Sequence, residues 1–572
     1  MERAAIRIYD FLSAVVAVLG YQQLLPALIL LILLVLACFW PRWGDSFFSR
    51  IEQFGTRQAK RKRAAIVAIA AVAILIRIGL LWALPIPVPH VHDEFSYLLA
   101  GDTFAHGRLT NPPLSLPIFF ETIHVNQLPT YMSKYPPAQG MILAVGELLG
   151  NPWFGVVLSI ALMCAAVLWM LQGWMPPQWA LLGGILLLLR VGIFSYWMNS
   201  YWGGAVAAIG GALVVGAMPR LMRRPRVGDA LLLALGLAIL ANSRPLEGLI
   251  FCLPMLAVLL IWLCGKKSPP LQLTLRQLIL PLCGAMLLCG IFIGYYNWRG
   301  TGNPTLFPYE LNERTYLTTP TFLWDGPRPP LQYSNAQFDA FYNDWSRQLW
   351  EETRIHSVLQ AAKTLGYNVA KLFYFFLWPE LCVPLIALPW VLGDRRIRFL
   401  LVQTAICFFG FLLIPWFEPH YAAPVLATIF AILVQVMRHL RRWRIGNRPA
   451  GVGLSRVIVL FAIFLAPFHP HAEPIGHPAP QDIEYRALFE NQLEKLSGEH
   501  LVVVRYSPDH NVLAEWVYNK ANLDHAKVVW ARDIPGVDLQ PLLDHFQGRH
   551  AWIVEPDANP PTMKPFGTTD AR

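Results

Sequence analysis

Charge is scarce in this sequence. Only 14% of the 572 residues are Asp, Glu, Lys or Arg, against about 25% in a soluble globular protein. With 55% hydrophobic residues and a mean hydropathy of +0.43, an ordinary soluble domain is excluded. Apolar runs of about 18 or more residues recur, each long enough to cross the hydrocarbon core of a bilayer. Cysteine is confined as well. Cys38, Cys164, Cys252, Cys264, Cys283, Cys289, Cys382 and Cys407 all lie in or at the ends of apolar runs. The long polar stretches and the C-terminal region hold none, so no disulfide staples them. There is no CxxC or metal-type cysteine spacing, no GxGxxG or P-loop, and no internal repeat. No nucleic-acid motif accompanies the net charge of +10.

That positive charge has another explanation. Lys and Arg cluster in short loops between apolar runs, at Arg57 to Arg63, Arg220 to Arg226, Lys266–Lys267, Arg395 to Arg398 and Arg438 to Arg444. This is the positive-inside pattern of a multi-pass membrane protein. Spans are expected at about 64–84, 153–174, 179–195, 203–219, 228–243, 246–264, 277–296, 369–391, 399–416, 420–437 and 454–470. The 13 or so apolar residues from Ala138 to Gly150 are too few for a span and suit an interfacial or re-entrant helix. Treating them so places every basic loop on one side. The N-terminal run, about Leu12 to Trp40, is too long for the core of a cleavable signal and reads as a retained anchor of one or two spans; a single long helix is favoured.

The expected fold is therefore an all-α polytopic transmembrane bundle of about 11–13 spans with a small C-terminal α/β extramembrane domain. Residues 1–63 form the anchor and a basic cytoplasmic loop. Residues 64–470 form the multi-span region, with outer loops at about 85–137 and 297–366. Residues 471–572 form an extracytoplasmic domain, read as βαβαβ with helices at Val512 to Asn519 and Leu539 to Phe546, a parallel sheet of about three strands, and a disordered tail from Pro556.

The strongest local feature is His92-Asp93-Glu94, just beyond the outer end of the 64–84 span. A solvated loop is one reading of it. The residues that follow, Phe95, Leu98 and Leu99, have amphipathic helical spacing, and a carboxylate held at such a helix start suits a general base. The second feature is Lys134-Tyr135-Pro136-Pro137 at the start of the short helix, where helix N-termini favour anions and Lys adds charge. A Pro-initiated helix with a snorkelling Lys reads equally well. Polar groups at other outer span ends are Asn199 to Trp202, Asn242 to Glu247 and Glu418 to Tyr421. They fall on the side of Asp93, and ionisable groups at membrane depth are costly enough to be functional candidates. Arg244 and Glu247 also fit a structural pair, and Arg190, inside a span, fits either function or helix packing.

Asp93-Glu94 opening the first outer loop, Lys134-Tyr135-Pro136-Pro137 leading a short helix, and an outer C-terminal region resemble the GT-C glycosyltransferases, in particular the protein-mannosyltransferase and aminoarabinose-transferase-like group. The resemblance covers roughly residues 64 to 440. It implies a hexosyl- or pentosyltransferase that moves a sugar from a polyprenyl-phosphate donor to a lipid, glycan or protein acceptor. The location implied is a cell membrane (the inner membrane of a Gram-negative bacterium, if that is the source), with the reaction on the extracytoplasmic face. The resemblance implies Asp93 as the base, with Glu94 beside it, and donor-phosphate contacts from Lys134, Arg244 and His420. Some members use a divalent metal and others do not. His92, Glu94, His124 and His420 could supply ligands, though no spacing compels a site. A transporter or flippase of a lipid-linked or anionic solute is the alternative from another class, but it would favour inverted repeats and charges at mid-membrane. A non-enzymatic scaffold is the third reading.

Overall fold

The computed structural model describes residues 24–468 and 483–567, apart from 267, 321, 323, 324, 327, 412, 413 and 415. It is mostly helical. Each of the eleven expected spans coincides with helix, because an apolar run in lipid must satisfy its backbone internally. The helices are Lys62–Gly79, Trp153–Trp174, Pro177–Arg190, Ala205–Arg223, Val227–Ala241, Pro245–Leu263, Leu271–Thr301, the pair Val358–Phe376 and Glu380–Leu392, Arg398–Gly410, Pro419–Leu440 and Ala450–Phe468. Among the described residues, six are long and apolar enough to cross a membrane, or seven counting the bent pair as one. Leu24–Phe39 is a further apolar helix. The rest of the N-terminal run, residues 12–23, and the start of the expected C-terminal domain, residues 471–482, lie outside the described residues. The chain is a multi-pass membrane protein.

The bundle has a centre and a rim. The apolar window of Pro419–Leu440 is 94% buried, whereas that of Leu271–Thr301 is 11% buried. The latter turns Leu280, Leu287, Leu288 and Ile291 outward, where lipid takes the place of protein. The expected span at 369–391 is not straight. It bends by 115° between Phe376 and Glu380, where Pro379 has no N–H to continue the ladder. Arg190 caps the broken end, donating from Nε to Phe375 O (2.8 Å) and from Nη2 to Tyr374 O (2.7 Å), with Glu380 3.8 Å away. Arg190 is thus tied into helix packing.

Four of the basic loops, at 57–63, 220–226, 395–398 and 438–444, meet at one end of the bundle. Gln172 bonds Lys62 O, Arg220 and Arg223 bond Trp169 O and Gly173 O, and His439 lies 3.4 Å from Asp394. Arg438 reaches Met175. The helix Asp45–Lys60 joins them there through Glu52, which takes Arg441 in two bonds of 2.8 Å.

At the other end lies a helix that no membrane argument requires, His92–Ala105, hereafter the Asp93 helix. The short Pro137–Leu148 helix packs along it. Contact is close enough that a Cβ on Gly140 would stand 2.6 Å from the Ala100 Cβ. Between them strands β1 (Val125–Asn126) and β2 (Met132–Ser133) form a two-residue antiparallel ladder. The second outer loop is shorter than expected from sequence. Leu271–Thr301 runs past residue 297, and a new helix starts at Val358. The segment between carries Pro308–Tyr316 and a helical stretch from Ala336 to Thr353.

The C-terminal sheet has order β4-β3-β5-β6. Strands β3 (His500–Val504), β4 (Val528–Arg532) and β5 (His550–Glu555) are parallel, as expected. Two expectations are corrected. Residues 512–519 are not helical. Their side chains instead fill the space between the sheet and the Asp93 helix, and tertiary contacts override the helical pattern. The tail from Pro556 is ordered through residue 567, because Thr562–Pro565 adds an antiparallel edge strand, β6, beside β5. No disulfide is involved; the interior is closed by Trp516 and Trp530 on one face and by Leu542 and Phe546 on the other. A buried Arg532–Glu515 pair, joined by Tyr506, links the sheet to Glu121 O and Gln337 of the outer loops.

Candidate active site

Asp93 sits in the first turn of its helix. Glu94 holds that turn in place by accepting from the backbone N–H groups of His90 (2.7 Å) and Val91 (3.2 Å), the reach-back half of a capping box. Its other oxygen accepts from Tyr201 N (2.8 Å). Burial pushes the Glu94 carboxyl up to about 7, against the three N–H groups that favour its ionised form. Both of its oxygens are therefore engaged by backbone, which ties the Asp93 helix to the Asn199–Trp202 stretch. Asn199 in turn accepts from Arg77 Nε (3.0 Å).

Asp93 keeps a side chain free of that duty. The Tyr135 hydroxyl donates to its Oδ1, and His124 Nε2 stands 3.9 Å from its Oδ2. His124 has φ of +67°, a region that only a few per cent of non-glycine residues occupy, His among the types enriched there. Strain of that kind, about 1–3 kcal/mol, persists only where surroundings fix it. Here Ser96 Oγ and Lys134 N both donate to His124 O, at 2.7 and 3.2 Å. Burial holds the His124 imidazole well below its ordinary range, and Lys134 and His92 add to that. Lys134 is itself lowered by burial, opposed by Asp93 and Glu313. A cation and a carboxylate thus interact in a partly buried space, with the Asp93 side chain 25% exposed.

The other sequence candidates converge on this space. Tyr97 stacks on Tyr135 (centroids 4.4 Å apart) and lies in the field of both Asp93 and Arg244. Arg244 stands 4.1 Å over the Tyr421 ring and 3.7 Å from Glu247. His420 Nδ1 pairs with the Tyr196 hydroxyl at 3.0 Å, and its ring lies against Trp202 and Tyr421. Asp93, Lys134, Arg244 and His420, drawn from four separate stretches of chain, therefore surround one group of tyrosines. Glu94 stands behind them, and Arg190 is engaged at the bend described above.

Sequence reasoning passed over Lys371. It salt-bridges Glu418 at 2.6 Å and bonds Phe417 O at 3.0 Å, bringing a third cation beside His420. Its only signal in the sequence is a Lys inside an apolar helix. Tyr97 was passed over as well, and Tyr421 was named only as part of the Glu418 to Tyr421 stretch, without a role of its own.

A metal was left open by the sequence. Among the described residues, no three of His, Cys, Asp and Glu converge as a metal-binding group. His92 spends both ring nitrogens on protein, Nδ1 on Tyr518 (2.6 Å) and Nε2 on Val512 O (2.8 Å).

No family model matches the chain, and no curated protein matches it. Solved structures do. The chain is similar to ArnT from Cupriavidus metallidurans in the apo state, at 12% identity over 86% of this chain and 92% of that one, with a TM-score of 0.45. The same protein bound to undecaprenyl phosphate gives 0.44 at 12% identity with the same coverage. The Archaeoglobus fulgidus oligosaccharyltransferase in complex with Zn and sulfate gives 0.47 at 11% identity, over 86% of this chain and 67% of that one. At such identity and TM-score the assignment of chemistry rests on this chain's own residues.

Proposed function

We propose that this protein is a membrane glycosyltransferase that moves a hexosyl or pentosyl group from a polyprenyl-phosphate donor to a lipid, glycan or protein acceptor on the extracytoplasmic face. The observation that carries the reading is the grouping of Asp93, a carboxylate bound by the Tyr135 hydroxyl and by no backbone N–H, with the cations Lys134 and Arg244 around a partly buried tyrosine cluster at the end of the bundle opposite the basic loops.

The chemistry follows from that pairing. Asp93 takes the proton of the acceptor hydroxyl as its oxygen attacks the anomeric carbon. The bond from that carbon to the phosphate oxygen breaks, and its electron pair leaves with the lipid phosphate. Lys134 and Arg244 offset the negative charge on the departing phosphate, and His420 packs the far wall beside Tyr421. Such preorganised charges act strongly in a desolvated site. The sugar passes through oxocarbenium character with inversion. Glu94 holds the Asp93 turn and takes no proton in this scheme. A transporter would place its charges at mid-membrane, whereas these stand at one end of the bundle.

The test is a transfer assay on membranes supplied with labelled polyprenyl-phosphate sugars. Asp93→Asn keeps the size and most hydrogen bonding of the side chain but cannot act as a base, so transfer falls by about 100- to 10,000-fold. Wild-type transfer by Asp93→Asn, in membranes where Lys134→Ala or Arg244→Ala is inactive, moves the base to another residue.

A further inference from the structure

We infer that the connection from β3 to β4, residues 507–526, is a positioning element of the transfer reaction, because it fixes the rotation of the helix that presents Asp93. The inference rests on the reading of Asp93 as the reacting carboxylate.

The Asp93 helix is gripped from two sides. Facing the bundle, Glu94 takes Tyr201 N and Gly101 packs against Leu143, a Cβ there standing 3.0 Å from the Leu143 Cβ. Facing the C-terminal sheet, three residues of the helix meet the β3–β4 connection. His92 Nε2 lies 2.8 Å from Val512 O and so carries the proton, which leaves Nδ1 to accept from the Tyr518 hydroxyl at 2.6 Å. Phe95 lies flat on Tyr518, centroids 4.2 Å apart and planes 1° from parallel. Asp102 accepts from Ala521 N at 2.6 Å. At about 100° per residue, His92, Phe95 and Asp102 fall within a sector of roughly 80°, and Glu94 and Gly101 within roughly 20° of each other on a second side. Asp93 projects between, about 100° from His92 and from Glu94. Neither grip alone fixes rotation about the helix axis; together they do.

The connection is stiff enough for this task although its one helical piece is the single turn Leu523–His525. Arg486 donates to Trp516 O (2.7 Å) and Tyr518 O (2.8 Å). Asn519 exchanges two bonds with Trp530 of β4, at 2.8 and 2.9 Å. Glu515 is locked by Arg532 and Tyr506. Residues 515–519 are thereby held to the sheet, and the sheet reaches the carboxylate through Tyr518 and His92. Misplacement of a reacting group by about 1 Å costs on the order of 100-fold in rate, so the grip acts on turnover rather than on donor binding.

The experiment measures kcat and KM for donor in membranes containing full-length protein, normalised to folded protein, for Asp93→Asn, Tyr518→Phe, Tyr518→Ala and Asp102→Ala. Tyr518→Phe keeps the stack on Phe95 and removes only the hydroxyl. The expected result is a kcat lowered about 5- to 10-fold by Tyr518→Phe and further by Tyr518→Ala, with KM within 2-fold of wild type. Asp102→Ala, which releases Ala521, lowers kcat in the same way and serves if Tyr518→Ala does not fold. Wild-type kcat in Tyr518→Phe and Asp102→Ala, or a raised KM at unchanged kcat, overturns the inference while Asp93→Asn remains inactive. Wild-type transfer by Asp93→Asn instead overturns the reading of Asp93, a separate outcome.

Discussion

The Tyr135 hydroxyl donates to Oδ1 of Asp93, so the residue that opens the first outer loop is oriented by the residue that introduces the short helix. That bond joins two motifs 42 positions apart and leaves Oδ2 toward His124. Tyr135→Phe keeps the stack on Tyr97 and removes the bond. A hydrogen bond to a charged group is worth about 1.5–3 kcal/mol, so transfer is expected to fall by roughly 10- to 100-fold, less than for Asp93→Asn. Initial rates on labelled donor measure it, and an undiminished rate means that the bond does not orient the base.

Acidification should loosen the outer assembly. His92 is buried and His124 largely so, and loss of solvent holds both imidazoles below their ordinary value, His124 well below. Unfolded, they take up protons below about pH 6.5; folded, they resist protonation, so the folded state loses ground as pH falls from 6.5 through their folded values. Asp93, Lys134, Glu515 and Tyr518 face this pair. The loss is about 1 kcal/mol per imidazole per pH unit within that window, and it is offset in part by Glu94, whose carboxyl, raised to about 7, takes up its proton in the folded state first. Thermal unfolding in detergent at pH 7.5 and pH 5 measures it. A Tm that does not fall between them contradicts the expectation.

Gly140 sets the spacing between the Asp93 helix and the short helix. A Cβ there would meet Ala100 Cβ at 2.6 Å and the Phe104 ring at 2.9 Å, closer than real atoms pack, so Gly140→Ala pushes the two helices apart. Overpacking of this kind costs about 1–3 kcal/mol, and the shift carries Asp93 away from Tyr135. Lower Tm together with slower transfer is expected. The comparison is Gly107→Ala on the exposed turn after the helix, where φ is +70° but no atom is close; there stability alone should drop. Equal effects of the two substitutions on transfer remove the spacing argument.

Sidedness is open to labelling. Ser115 in the first outer loop and Gln547 beside β5 are both exposed, and neither region has a native cysteine. Ser115→Cys and Gln547→Cys should react with an impermeant maleimide from the same, extracytoplasmic side, and a cysteine at Arg224 from the other. Labelling of Ser115→Cys and Gln547→Cys from opposite faces contradicts the docking of the sheet on the Asp93 helix.

Much of the candidate site was legible in residue order. Asp93 after a span, Lys134 before two prolines, and Arg244 and His420 at span ends each stood out as ionisable groups at a membrane boundary. Glu94 shows where that reading stopped. Its position beside Asp93 gave it a chemical role on paper, but whether a carboxylate binds substrate or backbone depends on which N–H groups surround it, and Tyr201 N lies 107 residues away. Lys371 was missed for a related reason: a lysine in an apolar run signals nothing until Glu418 is seen beside it.

What the sequence determined by itself is the membrane architecture. Spans follow from local hydrophobicity, because a bilayer forces each segment to satisfy its own backbone, and the basic loops at their ends carry the expectation of orientation that labelling tests. The strands of the C-terminal sheet were legible as apolar runs, and their parallel order was expected from strand–helix alternation, of which the helix Gln540–His545 is present and the one at 512–519 is not. Tertiary structure alone decided that residues 512–519 form an extended brace rather than a helix, that the span at 369–391 breaks and is capped by Arg190, and that the C-terminal sheet reaches the Asp93 helix. Each depends on partners distant in the chain, such as the 426 residues between His92 and Tyr518, and no local pattern encodes which buried polar groups will find one another.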